Sequence, residues 1–427
     1  MLRSFACCHM TLDAGLYDEL IAEEWLVPHR VGGAKDAPVI TPEEIRPITY
    51  PFEWSFTMLQ DAALLTLAAQ KKSLERGLSL KDASAYNVQF QQGQPILIDT
   101  LSFEEYKGGE PWVAYGQFCR HFLAPLALMA YTDVRLGQLA REYLDGIPLD
   151  LAAKLLPSGT RLRPGLALHL YAHARSQVKK ASEHKKPSRK VTKNSLLAII
   201  DSLERLIKGL KPKDAQTEWK DYYTNTNYSD AAAKAKKKLV NQLAGKVKRL
   251  ESLLDLGGND GHYSQGLADG GVKVVCADID PFAVEFNYRR VKREGEANML
   301  PLLVDLTNPG GALGWENEER EPVHKRLAAD MVMALALIHH LAISNNLPFS
   351  RIAEYFAQFA PYLLIEFVPK GDSQVTKLLS TRKDIFPEYT PEQFEKEFAA
   401  YYTEVEKRPI AGTKRTLYLF KRKQSGK

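Results

Sequence analysis

The residues best suited to chemistry form a short run, Asp255-Leu256-Gly257-Gly258-Asn259-Asp260-Gly261, that follows directly on the apolar segment Ser252–Leu256. An apolar strand that opens into glycines and then a helix lets a ligand approach the backbone closely. The helix start adds unpaired N–H groups and a partial positive charge. A second acid, Asp278, ends the next apolar run in Ala277-Asp278-Ile279-Asp280, 23 residues beyond Asp255. That is close to the interval of about 20 residues at which an acidic side chain meets ribose hydroxyls. A third, Asp305, closes Leu303-Val304-Asp305-Leu306. Three consecutive strands ending in acids at one sheet edge describe a nucleoside site.

The identity of the nucleoside follows from what the loop lacks. No G-x-G-x-x-G and no G-x-x-x-x-G-K-[ST] is present, so neither a dinucleotide pyrophosphate nor a P-loop triphosphate is expected. Asp255 and Asp260 flank the glycines and would repel a diphosphate. They suit a ligand carrying an ammonium and a sulfonium, which is S-adenosylmethionine.

Further along, Ala334-Leu335-Ala336-Leu337-Ile338-His339-His340 ends a fourth apolar run with two imidazoles. An unperturbed histidine pKa near ~6.5 suits a base that takes a proton from a hydroxyl acceptor. Glu366, in Ile365-Glu366-Phe367-Val368, is a carboxylate in an apolar strand, so it sits at the strand's open end or is paired there. No third ligand lies at a characteristic metal spacing beside the two histidines, and no metal is expected.

These groups need a frame, and the second half of the chain provides one. Short apolar runs at Ser252–Leu256, Val272–Ala277, Leu300–Val304, Met331–Leu335 and Tyr362–Val368 alternate with helical patterns near 261–269, 281–294 and 346–360. Strands alternating with helices predict a parallel sheet covered on both faces. Thr403–Pro409 and Lys414–Phe420, joined through Ala411-Gly412, predict an antiparallel hairpin at its edge. Lys234, Lys236, Lys237 and Lys238 fall in a helical pattern continuing through Leu239, Leu243 and Val247 and read as its solvated face, with an RNA- or phosphate-binding patch as the alternative.

Residues from about 216 to 427 therefore resemble a class I S-adenosylmethionine-dependent methyltransferase. The resemblance implies an α/β, Rossmann-like seven-stranded sheet whose last strand inserts antiparallel. It also implies that Asp255, Gly257, Gly258, Asn259 and Gly261 hold the amino-acid end of the cofactor. Asp278 would take the ribose diol, Ile279 would pack on adenine, and Asp305 with Leu306 would meet the adenine edge. The family's D-x-G-x-G-x-G has Asn259 in place of its middle glycine, and asparagine tolerates left-handed backbone angles. The N-P-P-Y-type motif of the amino-methylating branches is absent, which favours an oxygen, carbon or unusual acceptor. Tyr50-Pro51-Phe52-Glu53-Trp54-Ser55-Phe56, Asp305-Leu306-Thr307-Asn308-Pro309 and Ala336-Leu337-Ile338-His339-His340-Leu341 make the whole chain similar to long bacterial methyltransferases of the nodulation (NoeA-like) type.

The first half, 1–175, reads as mainly helical. Phe56, Leu59, Ala63, Leu64, Leu67 and Ala68 recur at helical spacing behind Ser55, and Trp112, Phe118, Phe122 and Leu126 mark a second buried face. Val88–Phe90 and Pro95–Ile98 read as a hairpin around Gly93. Asp82, Asn87 and, beyond the hairpin, Asp99 resemble the catalytic loop of kinases, where such residues position nucleophile and Mg²⁺. No glycine-rich phosphate loop, V-A-I-K-type strand or H-R pair accompanies them. The half is a degenerate kinase-like module that binds an acceptor or partner, or an unrelated helical domain. Residues 176–215 read as a basic linker and helix, the lysines from Lys179 to Lys193 being too polar to order themselves. Trp219-Lys220-Asp221-Tyr222-Tyr223 and Asn227-Tyr228-Ser229-Asp230 offer aromatics for a lid or for packing.

The composition sets outer bounds. With 427 residues, 45% hydrophobic and 26% charged, the chain has core material for two or three domains. It has no apolar run of the ~18–20 residues that a spanning helix needs. The N-terminus lacks the apolar stretch of a secretory signal. Four cysteines, with Cys7 and Cys8 adjacent and Cys119 and Cys276 alone, make no disulfide framework, and a cytoplasmic setting is expected. A net charge of +5 is too small by itself to require nucleic acid. The expected function is methyl transfer to a small-molecule or glycoconjugate acceptor, at oxygen, with no membrane partner. An RNA or protein methyltransferase, reached through the linker lysines, is the second reading, and a non-catalytic cofactor-binding module the third.

Overall fold

The computed structural model describes residues 14–34, 37–176, 191–213, 230–380 and 383–424. Cys7 and Cys8, the linker lysines from Lys179 to Lys190, and the aromatic run from Trp219 to Tyr228 lie outside the described residues. The chain divides into two compact units, Met1–Ala215 and Gln216–Lys427. Among the described residues, no helix is long and apolar enough to cross a membrane.

In the first unit a hairpin of β1 (His29–Ala34) and β2 (Ala37–Pro42) precedes a long helix, α1 (Phe56–Glu75). Ser55 caps α1 by accepting the Met58 N–H, and the face carrying Leu59, Ala63 and Leu67 is buried. Three short pieces follow: β3 (Leu78–Leu80), then β4 (Val88–Gln91) and β5 (Gln94–Leu97) as a hairpin, then β6 (Phe103–Glu105), which pairs antiparallel with β3. The β4–β5 turn is Gln92-Gly93, both at positive φ (51° and 74°), the conformation that two-residue hairpins require. Phe118, Phe122 and Leu126 are buried on a helical run that starts at Tyr115 and includes α2 (Ala124–Tyr131), and Trp112, also buried, lies just before it. After the linker, α3 (Lys193–Gly209) lays Leu196, Ile200, Leu203 and Ile207 on the core.

The second unit is built on one seven-stranded sheet. After α4 (Asp230–Ala244) come β7 (Ser252–Leu256), α5 (Gln265–Asp269), β8 (Lys273–Asp278), α6 (Pro281–Glu294) and β9 (Met299–Leu303). Then follow β10 (Met331–Ala334), α7 (Phe349–Phe356), β11 (Tyr362–Phe367), α8 (Ser373–Leu379), α9 (Pro391–Phe398), β12 (Tyr402–Pro409) and β13 (Thr416–Arg422). The strand order is β12-β13-β11-β10-β7-β8-β9. Strands β7 to β11 are mutually parallel, and β13 inserts antiparallel between β11 and β12. The core packs Leu253, Val274, Met331, Met333, Leu364, Leu417 and Leu419 against Val240, Leu243 and Val247 of and just beyond α4.

Two expectations need correction. The helix placed at 346–360 is the shorter α7, because Pro348 takes its cap position and Asn346 sits at φ 54°. The reading of the α4 lysines as a solvated face fails at Lys236, which is 1% exposed. Lys236 falls in register with Ala232, Val240 and Leu243, so it occupies the buried stripe of the helix.

Candidate functional site

The site grows from the turn after β7. Gly257 and Gly261 take φ of 68° and 78°, and Asn259 takes 52°, so the residue replacing the family's middle glycine adopts the left-handed conformation itself. Gly258 is required for a different reason. A Cβ there would lie 2.6 Å from both the Asp255 carboxylate and the Cys276 sulfur, both buried. The turn is held from below by Arg290 of α6, whose guanidinium donates to the Asp260 carbonyl (2.6 Å) and to Asn287 (2.9 Å) and pairs with Glu296.

The three acids reach the same edge but do different work. Asp255 points inward and is 2% exposed. Burial pushes its carboxyl up to about 7, partly opposed by a hydrogen bond with Ser264. Asp278 accepts the Asn259 N–H at 2.8 Å through one oxygen and the Asp280 N–H at 2.9 Å through the other. Burial raises its pKa against those two bonds. Each oxygen keeps a second lone pair, so the carboxylate both shapes the glycine turn and retains capacity to accept from a diol. Ile279 beside it is 62% exposed, an apolar side chain left uncovered at a strand end. Asp305 lies two residues past β9, where it accepts the Thr307 N–H and hydroxyl at 2.8 and 2.7 Å. Leu306 and Thr307 border a cavity of about 480 Å³.

The loop after β10 forms the facing wall. Ala336 is held at φ 50°, a costly conformation for alanine, and donates its N–H to Glu366 at 2.9 Å. Leu337 reaches back to the glycine turn, its Cδ1 only 3.2 Å from where a Gly257 Cβ would stand. His339 and His340 follow, with ring centroids 4.2 Å apart. His339 is buried, and desolvation lowers its pKa to about 3, which makes it neutral and a weak base. Its Nδ1 has no hydrogen-bond partner among the described residues. His340 is exposed, its pKa lowered by partial desolvation.

Glu366 is wholly buried and ion-paired. Its carboxylate meets the Lys236 ammonium at 2.6 Å and the Arg415 guanidinium at 3.4 Å, and Arg415 also pairs with Asp372 at 2.7 Å. Burial lowers the Lys236 pKa, and Glu366 opposes that shift. Sequence reasoning missed Lys236, Arg290, Arg415 and Leu337 as parts of the site. For Lys236 the signal was its register with Ala232 and Val240; for the others no local signal exists.

A second cavity, of about 390 Å³, lies beside Ala342, Asn346, Phe349, Phe386, Glu388 and Gln393. It borders the turn that follows His340 and the segment whose Tyr389 hydroxyl donates to the Val368 carbonyl just past β11. Among the described residues, no Lys or Arg lines it.

In the first unit, Lys81 N–H donates to the Ser102 carbonyl, which draws the end of β3 to the start of β6. The Asn87 amide donates to the Ser102 hydroxyl, which donates in turn to Asp99, while Asp82 accepts the Ser84 N–H. Asn87 and Asp99 thus meet through Ser102, whereas Asp82 is held by its own turn. Among the described residues, no group of three or more His, Cys, Asp or Glu is set to hold a metal.

No family model matches the chain. The nodulation protein NoeA of Rhizobium meliloti (strain 1021) is 36% identical over 403 residues, 93% of this chain and 84% of that protein. Among solved structures, the N-methyltransferase NodS from Bradyrhizobium japonicum WM9 is 13% identical with a TM-score of 0.34, over 46% of this chain and 99% of that one. The magnesium protoporphyrin IX methyltransferase ChlM from Synechocystis PCC 6803, solved with bound SAM, is 15% identical with a TM-score of 0.34, over 48% and 92%. The bifunctional kinase-methyltransferase WbdD is 16% identical with a TM-score of 0.33, over 45% of this chain and 40% of its own. TM-scores this low lend no weight to fold or activity, which stand on the strand order and the site.

Proposed function

The chain belongs to the family of the nodulation protein NoeA, and on that footing we propose that it is an S-adenosylmethionine-dependent methyltransferase acting at oxygen on a small-molecule or glycoconjugate acceptor. The observation that carries this is the glycine turn after β7, closed by Asp278, in a sheet with an antiparallel strand inserted next to its edge strand. The residues present fit the cofactor. Asp278 keeps acceptor capacity for a ribose diol, Ile279 offers apolar surface for adenine, and the turn's glycines admit close backbone approach.

When bound, the cofactor supplies an electrophilic methyl on sulfonium. The chain's part is to hold the acceptor in line and take its proton. His340 is the better base of the pair, since it is exposed while His339 is buried beneath it and lowered to about 3. Glu366 acts through the Ala336 N–H it accepts rather than on substrate. The 390 Å³ cavity between the start of α7 and residues 385–397 supports the acceptor class. Its carboxylates and amides suit an uncharged, hydroxyl-bearing molecule, and among the described residues it offers no cation to a phosphate backbone.

The test is incubation of extracts with isotopically methyl-labelled cofactor and the purified full chain, followed by mass spectrometry. A labelled small molecule supports the proposal. Label only in RNA or protein would replace the acceptor class, and cofactor binding with no labelled product would make the chain a binding module.

A further inference from the structure

Lys236 is an amine on the buried stripe of α4, where desolvation works against its charged form and Glu366 favours it. Its surroundings explain its place. The ammonium lies 4.4 Å from the centre of the Tyr263 ring, two residues past Gly261 at the end of the glycine turn. On its other side it pairs at 2.6 Å with Glu366 Oε2, the same oxygen that accepts the Ala336 N–H. Ala336 is left-handed, and the residue after it, Leu337, packs on Gly257. One ammonium therefore touches the far end of the glycine turn and, through two hydrogen-bonded links, its near end.

We propose that Lys236 is a positioning residue for the cofactor loop, clamping the glycine turn against the loop after β10. The inference rests on the proposed cofactor and concerns Lys236, which has no part in that proposal. Without the ammonium, Glu366 keeps Arg415 at 3.4 Å, so the carboxylate retains one cationic partner. What is lost is the attraction that draws Glu366 Oε2, and with it Ala336 and Leu337, toward α4 and Tyr263.

The experiment uses the full chain with Lys236→Met, which keeps length and removes charge, and with Lys238→Met on the exposed face as control. Two quantities are measured: S-adenosylhomocysteine affinity by calorimetry, and hydrogen exchange along the chain by mass spectrometry. The expected result is affinity weakened about tenfold or more in Lys236→Met only. Faster exchange should be confined to segments 257–264 and 335–341, with the strands β7 and β10 still protected. A role in stability alone would loosen the whole unit evenly. Unchanged affinity and unchanged exchange in those two segments overturn the proposal. Should Lys236→Met fail to fold, Lys236→Met with Glu366→Gln removes both buried charges and is read by the same two criteria. If the unmodified chain itself fails to bind S-adenosylhomocysteine, the cofactor assignment falls, while the exchange comparison still decides whether Lys236 orders the two loops.

Discussion

Replacing Gly258 by alanine adds one methyl group at the tightest point of the site. The new Cβ would stand 2.6 Å from Asp255 Oδ2 and 2.6 Å from the Cys276 sulfur. Ordinary contact begins near 3.4 Å, so something must retreat by roughly 0.8 Å on two sides. Neither neighbour yields cheaply, because both side chains are buried and both stem from central strands, Asp255 from β7 and Cys276 from β8. Overpacking of this kind costs about 1–3 kcal/mol. For a unit of this size that lowers the melting temperature by roughly 2–4 °C per kcal/mol. If the turn rather than the strands moves, the same energy appears as roughly a 5- to 150-fold loss in S-adenosylhomocysteine affinity. Calorimetry and thermal unfolding of the full chain read both. Gly266→Ala is the matched control: its Cβ would meet Asn241 at 3.6 Å, an ordinary contact, within α5, and alanine there is neutral or stabilising. If Gly258→Ala bound the cofactor product and melted like the parent chain, the close-approach argument for the turn would be wrong.

Asp278→Asn replaces one of two acceptors with a donor, leaving the N–H of Asn259 or Asp280 unpaired. It should cost about 1–3 kcal/mol and weaken S-adenosylhomocysteine binding; unaltered affinity by calorimetry counts against the diol assignment. Asp255, raised from 3.8 to about 7, holds in the folded state a proton that the unfolded chain releases, so its contribution is fully present below about pH 4 and lost as pH rises through about 7. His339, lowered to about 3, acts in the opposite sense below about pH 6.5. The measurement is therefore the difference in melting temperature between the parent chain and Asp255→Asn across that range. A difference that does not change with pH refutes the assignment. With the acceptor in hand, His340→Gln should lower turnover by ~10²–10⁴-fold while leaving S-adenosylhomocysteine affinity intact. Full turnover in both His340→Gln and His339→Gln would remove this pair from the chemistry.

Much of the second unit was legible because its signals are local. Apolar runs of strand length between helical periods marked the five parallel strands, and Ala411-Gly412 the terminal hairpin, all to within two residues at either end, since a strand buried on both faces must be apolar throughout and a hairpin needs a turn. The glycine turn was legible because left-handed angles are denied to most side chains, and Asn259 obeys the same rule at φ 52°. In the first unit the β4–β5 turn was read the same way from Gly93. Where the reading slipped, the cause was competition between local signals, as at Pro348, which sets the start of α7.

The amino-acid order by itself determined which segments become strands, where the chain must turn, and that three acids finish neighbouring strands. Those outcomes depend on side-chain period and on backbone sterics within a few residues. Only the tertiary structure decided what those side chains do: that Asp255 is sealed in the core while Asp278 accepts two backbone N–H groups of the turn, that His339 is buried while His340 is exposed, and that Lys236 is a buried partner of Glu366 from 130 residues away. The strength and even the sign of a charge's contribution depend on how much water surrounds it and which opposite charge it meets, and both are set by segments distant in the chain.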